Sequence, residues 1–221
     1  AAVSHLVGPA ALVPVAGAPL IEHTLRRLLG DDAPSWADVV LVVHPDDEAD
    51  MAAVAARLPA PVRLVHGGAR RQDSVLAGVE ATAPTVEVVL VHDAARPFVP
   101  VERLTSLAGL AAEHDCALLA IPVTDTIKRR ADDDASRCVG TVPRDVLRAA
   151  QTPQAFRRAA LLERLEAADA AGREVTDEAA LFEDALRGPR FVEGSPLNWK
   201  VTTADDLELA GLLLSLRDRG A

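Results

Sequence analysis

Short apolar runs alternate with amphipathic stretches along most of the chain. The run 39–43 is continuous and rich in β-branched residues, which is typical of a strand buried on both faces, and three further strands are predicted at 62–65, 87–91 and 116–123. Around and between them, apolar residues recur at helical spacing over 19–29, 47–58, 73–83 and 101–114. Because strands that alternate with helices form βαβ units, we expect an α/β fold with a doubly wound, mostly parallel sheet.

The pattern changes after Pro122. Residues 124–143 are mainly polar and carry a charge run, with a short extended piece on each side of an acidic turn. This predicts a β-arm that projects from the sheet, either as a solvated hairpin or as a dimer contact. Beyond it we predict helices over 157–170 and 177–186, a strand near 190–192 and a closing helix over 204–219. With neither repeats nor a long linker, residues 1–221 are expected to form a single domain.

Composition narrows the function classes. The net charge of −10 argues against a nucleic-acid surface, which would show a basic patch, but it allows a nucleotide substrate. No apolar run approaches the roughly 20 residues of a membrane helix, and no signal-peptide pattern is visible, so we expect a cytoplasmic protein. The two cysteines match no metal or redox spacing, and Cys116 is expected to be a buried thiol.

Three stretches directly follow predicted strands or precede a helix, and open α/β sheets bind ligands at the carboxyl ends of their strands. The first contains Gly67 and Gly68, which let the backbone approach a ligand and permit positive φ. Arg71 then stands before a helix whose free N–H groups favour an anion. Asp73 or Ser74 would cap that helix or contact a nucleotide. An ordinary glycine turn with a cap explains the same pattern.

The second stretch places Asp93 and Arg96 directly after a predicted strand. A carboxylate there suits Mg²⁺, which commonly takes one or two protein carboxylates plus substrate phosphates. Arg96 could reach the same phosphates in a forked geometry, and a loop ion pair between the two residues is the alternative. We interpret His92 as structural.

The third stretch runs into the closing helix. Thr203 is expected to be its N-cap, with Asp206 three residues later in a capping-box arrangement. Lys200 stands just before it, where a cation could hold a phosphate, although a lone lysine at such a place is usually on the surface.

Together these stretches resemble the 2-C-methyl-D-erythritol 4-phosphate cytidylyltransferase family. The matching strings occur in the family's order from about Pro14 to the C-terminus. They are Gly-Gly-x-x-Arg71-x-Asp-Ser74-Val, Val-Leu-Val-His-Asp93-Ala-Ala-Arg96-Pro, Pro-Val-x-Asp125-Thr126-Ile-Lys128, Thr152-Pro153-Gln154-x-Phe156, Thr176-Asp177-Glu178-Ala and Lys200-Val-Thr.

The resemblance implies a Rossmann-like nucleotidyltransferase fold and the transfer of a cytidylyl group from CTP to methylerythritol phosphate, with Mg²⁺ as cofactor. Asp93 would hold the metal, and Lys200 would act at the reacting phosphates. The nucleotide would lie along Gly67, Gly68, Arg71 and Ser74. The acceptor would be bound by Arg96, Thr152 and Asp177. In the family the arm exchanges between subunits, so the resemblance implies a homodimer in which Thr126 and Arg144 reach the partner subunit's acceptor.

The opening segment departs from the family pattern. Such enzymes open with a strand, a Gly-rich loop with a catalytic arginine and a Pro-Lys pair, whereas here Val3 aligns with the arginine and Ala10 with the lysine. We therefore expect the strand and loop to be largely absent. This leaves three hypotheses: an active cytidylyltransferase, a related enzyme for another polyol phosphate such as ribitol 5-phosphate, and a non-catalytic paralogue that binds a nucleotide or a partner.

Overall fold

The computed structural model describes residues 2–6, 11–183 and 188–218, and a seven-stranded sheet runs through its centre. In spatial order the strands are β11 (Arg190–Glu193), β7 (Cys116–Pro122), β10 (Arg148–Arg157), β6 (Val88–Asp93), β1 (Ala2–Leu6), β4 (Asp38–Val43) and β5 (Arg63–His66). All neighbours pair in parallel except β10, which is antiparallel to β6 and to β7. The mostly parallel sheet predicted from the sequence is confirmed.

Six helices accompany the sheet. They are α1 (Leu20–Leu29), α2 (Glu48–Ala55), α3 (Arg71–Ala81), α4 (Leu104–His114), α5 (Arg158–Ala170) and α6 (Ala204–Asp218). Short 3₁₀ turns occur at 45–47, 101–103, 144–146 and 179–181. None of the helices in the described residues has the length and apolar character that a membrane span needs.

The core lies on both faces of the sheet. Val89 and Val91 of β6 pack with Phe156 and with side chains of α3 and α5. Val88 and Leu90, which alternate with them, pack instead with side chains of α4. Because successive residues of a strand point to opposite faces, helices cover the sheet on both sides, as a doubly wound fold requires.

Three predictions about the elements are wrong. The opening strand is present, because β1 pairs with β4 and β6, and Val3 is a strand residue facing Val39 and Leu90, not a loop residue. Ala10 lies outside the described residues. The helix predicted over 177–186 is, in its described part, only the 3₁₀ turn Ala179–Leu181. Strand β10 is not predicted at all, because polar residues at its centre interrupt the apolar pattern, although it lies between the core strands β7 and β6.

Two hairpins lie outside the main sheet. Strands β2 (Pro14–Val15) and β3 (Ala18–Pro19) form a tight pair just before α1. Strands β8 (Ile127–Arg130) and β9 (Cys138–Val142) pair antiparallel in the segment predicted to be the β-arm, and most of their residues are exposed. The hairpin is therefore present, with the acidic residues of the charge run in its turn.

Candidate active site

Asp93, the last residue of β6, lies at the carboxyl edge of the sheet among three cations. Its Oδ2 atom is 3.3 Å from Nε of Arg96 and 3.4 Å from Nζ of Lys200. Its Oδ1 atom is 3.9 Å from a terminal nitrogen of Arg71. The structure thus brings together four residues that the sequence predicts for the site. The ion pair between Asp93 and Arg96, the alternative interpretation of this stretch, is part of the same cluster.

Burial and charge act in opposite directions on this cluster. Burial by itself would raise the pKa of Asp93, but the charges of Lys200, Arg96 and Arg71 prevail and lower it, so the carboxylate is ionised at neutral pH. Burial lowers the pKa of Arg96, and Asp93 partly offsets that effect. Three cations meet at Asp93, and although Arg71 is also paired with Glu178, together they provide positive charge that suits a polyanionic ligand.

The backbone of Asp93 is fixed by a buried network of hydrogen bonds. Its N–H donates to Oγ1 of Thr152 at 3.0 Å, and the same oxygen is 2.9 Å from Nδ1 of His92. Nε2 of His92 is 3.2 Å from the carbonyl of Arg96, which can only accept. The imidazole is therefore protonated on Nε2, and Thr152 donates to its Nδ1. Burial lowers the pKa of His92 to about 4, which keeps the ring neutral and supports its structural interpretation.

Lys200 is held by its neighbours on both sides. The ring of Trp199 stacks on Phe98 with centroids 5.0 Å apart. The N–H of Val201 donates to the carbonyl of Ala95 at 2.9 Å. The Lys200 side chain itself remains 48% exposed, so it can reach a ligand without leaving a buried position.

Asn198 joins this segment to strand β10. Its Nδ2 donates to the carbonyl of Thr152 at 2.9 Å, and its backbone carbonyl accepts from a terminal nitrogen of Arg96 at 2.8 Å. Gln151 completes the join by donating to the carbonyl of Ser195 at 2.8 Å. The loop before α6 is thereby tied to Arg96 and Thr152, two of the residues predicted to bind the acceptor.

The glycine stretch packs closely against the helix that follows it. Neither Gly67 nor Gly68 has a positive φ. A Cβ at Gly67 would lie 2.6 Å from Oγ of Ser74, and one at Gly68 would lie 2.3 Å from Cβ of Asp73. Glycine is required because the loop packs directly on the first turn of α3.

The N-cap of α3 is also not the residue expected. Arg70 occupies the cap position, and Asp73 at N3 accepts from the backbone N–H of Arg70 at 3.1 Å. Asp73 is thereby committed to the helix terminus. Ser74 Oγ accepts from the N–H of Gly68 at 3.2 Å and lies at the loop. By contrast, the capping box predicted for α6 is confirmed by reciprocal bonds between Thr203 and Asp206.

Asp177 lies on the far side of Arg71. Its Oδ2 accepts from Nε2 of Gln154 at 2.7 Å, and its Oδ1 accepts from the N–H of Ala180 at 3.1 Å. The next residue, Glu178, pairs with Arg71. Burial raises the pKa of Glu178, and the charge of Arg71 opposes that shift. The sequence does not single out Glu178, because an acidic residue beside another in a helical pattern usually faces solvent. Its only signal in the sequence is its place inside a string that matches the family.

Thr126 and Arg144 are not brought to the cluster. Both are exposed, at the base of the β8–β9 hairpin, and Arg144 donates to the carbonyl of Thr124. The predicted contact of Thr126 and Arg144 with an acceptor is therefore not made at the Asp93 cluster of their own chain.

The donor set has the chemistry that Mg²⁺ prefers. The described residues contain no group of three or more His, Cys, Asp or Glu side chains that could hold a metal ion. Mg²⁺ does not need such a group, because it commonly binds one or two carboxylates and completes its shell with phosphate oxygens and water. Asp93 supplies one hard oxygen ligand where three cations would gather phosphates, so the residues present fit the ion.

The fold and this cluster define an α/β enzyme of the nucleotidyltransferase class. A family model described as IspD, 2-C-methyl-D-erythritol 4-phosphate cytidylyltransferase, matches residues 7–216, and the chain belongs to this family. The chain is 45% identical over 205 residues to the 2-C-methyl-D-erythritol 4-phosphate cytidylyltransferase of Stenotrophomonas maltophilia (strain R551-3); the match covers 91% of this chain and 86% of that protein.

Two further similarities add to this. The bifunctional enzyme IspD/IspF of Allorhizobium ampelinum is 44% identical over 214 residues, which cover 94% of this chain and 52% of that enzyme. The chain thus spans about half the length of the bifunctional relatives it matches. The crystal structure of 4-diphosphocytidyl-2C-methyl-D-erythritol synthase from Anaerococcus prevotii superposes with a TM-score of 0.86 at 28% identity, covering 97% of this chain and 95% of that one.

Proposed function

We propose that this protein transfers a cytidylyl group from CTP to 2-C-methyl-D-erythritol 4-phosphate. An oxygen of the acceptor's 4-phosphate attacks the α-phosphorus of CTP, a new P–O bond forms, and the bond to pyrophosphate breaks. The observation that carries the proposal is the placement of Asp93 among Arg71, Arg96 and Lys200 at the carboxyl edge of the sheet. Phosphoryl-type transfer needs mainly positioning and charge neutralisation, and this cluster provides both.

The nucleotide side is formed by the glycine loop and the start of α3. Gly67, Gly68 and Ser74 would lie along the cytidine, and Arg71 would contact the phosphates. Mg²⁺, held by Asp93 and phosphate oxygens, would neutralise charge on the triphosphate. Lys200, half exposed beside Asp93, would move onto the oxygens that become more negative as the bonds change.

The acceptor side is formed by Arg96, Thr152 and Asp177. Arg96 is anchored to Asn198 and Thr152 to His92, so both present fixed groups to an incoming phosphate or hydroxyl. We extend the proposal to a cytoplasmic homodimer in which Thr126 and Arg144 serve the partner subunit's site. The exposure of both residues on an extended hairpin supports this arrangement.

A non-catalytic protein is the second candidate, favoured by the identity of one residue. Ala10 stands where the family has a lysine, and removal of one preorganised charge stabiliser typically costs about 10²–10³ in rate. Such a protein would bind CTP without turnover. An enzyme for another polyol phosphate would turn over with ribitol 5-phosphate in place of methylerythritol phosphate.

The first test is calorimetric titration of CTP with and without Mg²⁺, on the wild type and on Asp93→Ala. We expect Mg²⁺-dependent binding that the substitution abolishes, whereas Asp50→Ala, on an exposed face of α2, binds normally. Pyrophosphate release is then measured with both acceptors. Binding without release from either acceptor would contradict the catalytic proposal, and absence of binding would contradict the nucleotide site.

A further inference from the structure

Glu178 is a fully buried carboxylate at the back of the site. Its side chain is 0% exposed, and it lies between Asp177 and the 3₁₀ turn that begins at Ala179. A buried charge is costly unless a partner compensates it. Oε1 of Glu178 accepts from a terminal nitrogen of Arg71, while Oε2 has no hydrogen-bond partner among the described residues. Compensation of this carboxylate thus depends mainly on Arg71.

Arg71 is shared between two carboxylates. One terminal nitrogen is bound to Glu178, and the other lies 3.9 Å from Oδ1 of Asp93. The guanidinium is therefore held in one orientation before any ligand arrives, with 31% of the side chain still exposed. A free arginine loses rotamer freedom when it is fixed on a ligand, and an arginine already held loses less.

The same short segment also holds the acceptor side. Asp177 is fixed by Gln154, whose carbonyl oxygen in turn accepts from the N–H of Ala179 at 3.1 Å. Two adjacent carboxylates are thus divided between the two half-sites, Asp177 on the acceptor side and Glu178 on Arg71 at the nucleotide side. A displacement of the segment would move both.

We infer that Glu178 is a positioning residue: its buried carboxylate holds the guanidinium of Arg71 beside Asp93 and thereby couples the nucleotide side of the pocket to the acceptor side. This inference rests on the proposed function, since it assigns Arg71 to the phosphates of CTP. Glu178 does not touch a substrate, so its loss should weaken substrate binding more than it slows the chemical step.

The test compares Glu178→Gln with Glu22→Gln. Glu22 is a matched control because it is also buried and is bound by two arginines, Arg26 and Arg57, yet none of these residues belongs to the pocket. The affinity for CTP with Mg²⁺ is measured by calorimetry, KM and kcat by pyrophosphate release, and stability by urea unfolding. For Glu178→Gln we expect CTP affinity to fall about tenfold and the acceptor KM to rise, with kcat within about threefold of the wild type.

The double variant Arg71→Ala/Glu178→Gln separates positioning from general destabilisation. Because it removes both partners, it leaves no uncompensated buried charge and should fold even if Glu178→Gln does not. If Glu178 acts only through Arg71, the double variant binds CTP no more weakly than Arg71→Ala alone. Glu22→Gln should lower stability while leaving CTP affinity and both KM values unchanged.

Two results would overturn the inference. One is a folded Glu178→Gln variant with wild-type CTP affinity and acceptor KM. The other is a double variant whose loss of affinity equals the sum of the two single losses, which would mean that the residues act independently. Failure of the proposed function looks different, because the wild type itself would then bind no CTP, or would bind CTP without releasing pyrophosphate.

Discussion

The pocket around Asp93 and the β-arm contain the same kinds of residue in opposite environments. Asp93 and Arg96 are each only 12% exposed and are fixed by contacts from β10 and from the loop before α6. On the arm, Arg137 pairs with Asp133 at 2.6 Å, but both side chains are more than half exposed. Exposed pairs of this kind contribute about 0–1 kcal/mol, whereas a buried partner is costly to remove.

The difference shows which parts of the site one chain can fix by itself. The nucleotide side and half of the acceptor side are held by hydrogen bonds within the chain. Thr126 and Arg144, in contrast, face solvent on an element that packs little against the rest of the protein. Their exposure is the observation behind the proposal that the arm serves a second copy of the chain.

The strongest test of the pocket is the charge at Lys200. We expect Lys200→Met to lower kcat by about 10²–10³, because the proposed function places this ammonium at the reacting phosphates. Stability should change by less than about 0.5 kcal/mol, since the side chain is half exposed. Pyrophosphate release measures the first effect and urea unfolding the second.

The chain offers a matched control for this substitution, because Lys128 is its other lysine and lies on the arm, 2.8 Å from Oγ1 of Thr141. Lys128→Met should leave kcat within about twofold. Equal losses of kcat in the two variants would show that net charge, not position in the pocket, determines the rate.

A smaller effect is expected at Asn198, which supports the pocket without carrying charge. Asn198→Ala removes the side-chain donor to the buried carbonyl of Thr152 and one of two donors to Oε1 of Gln151, which still accepts from the N–H of Ser195. We expect a loss of about 2–3 kcal/mol in the free energy of unfolding, measured in urea. Asn198→Asp should lower the free energy of unfolding further, because a carboxylate oxygen would then face the same two acceptor oxygens. Wild-type stability in both variants would mean that the loop before α6 is held in another way.

The strands β4, β6 and β7 are predictable because each is a continuous apolar run, and Asp93 and Arg71 are predictable because they follow strands. Strand β10 is not, because the polar side chains Gln151, Thr152 and Gln154 interrupt its apolar pattern. In the structure these side chains are satisfied by residues distant in sequence, Ser195, His92 and Asp177. No local pattern contains those partners.

The same reason explains the wrong helix at 177–186. Asp177 and Glu178 begin a run with good helical spacing, but Gln154 and Arg71 bind their carboxylates, and the described part of the run forms only a 3₁₀ turn. Tertiary contacts override local propensity here, as they commonly do in short segments. Glu178, the residue we infer to position Arg71, could therefore not be identified from spacing.

The smallest effect tests the arm itself. Arg144→Ala should raise the acceptor KM about tenfold and leave CTP affinity unchanged, because the proposed function assigns Arg144 to the acceptor and not to the nucleotide. Arg137→Ala, at the exposed end of the same hairpin, should change neither value. If both variants raise the KM equally, the arm acts through its overall charge and Arg144 has no particular role.

Mixing two variants with different defects, one in the arm and one in the pocket, shows which chain the arm serves. In a heterodimer of Arg144→Ala and Asp93→Ala, exchange of arms restores one complete site, which combines the pocket of the first chain with the arm of the second. At low acceptor concentration, activity should then rise about fivefold above the mean of the separate variants, given random assortment of subunits and a tenfold effect of Arg144. If each arm serves its own pocket, no complete site forms and the mixture shows only the mean, because every chain still carries one defect.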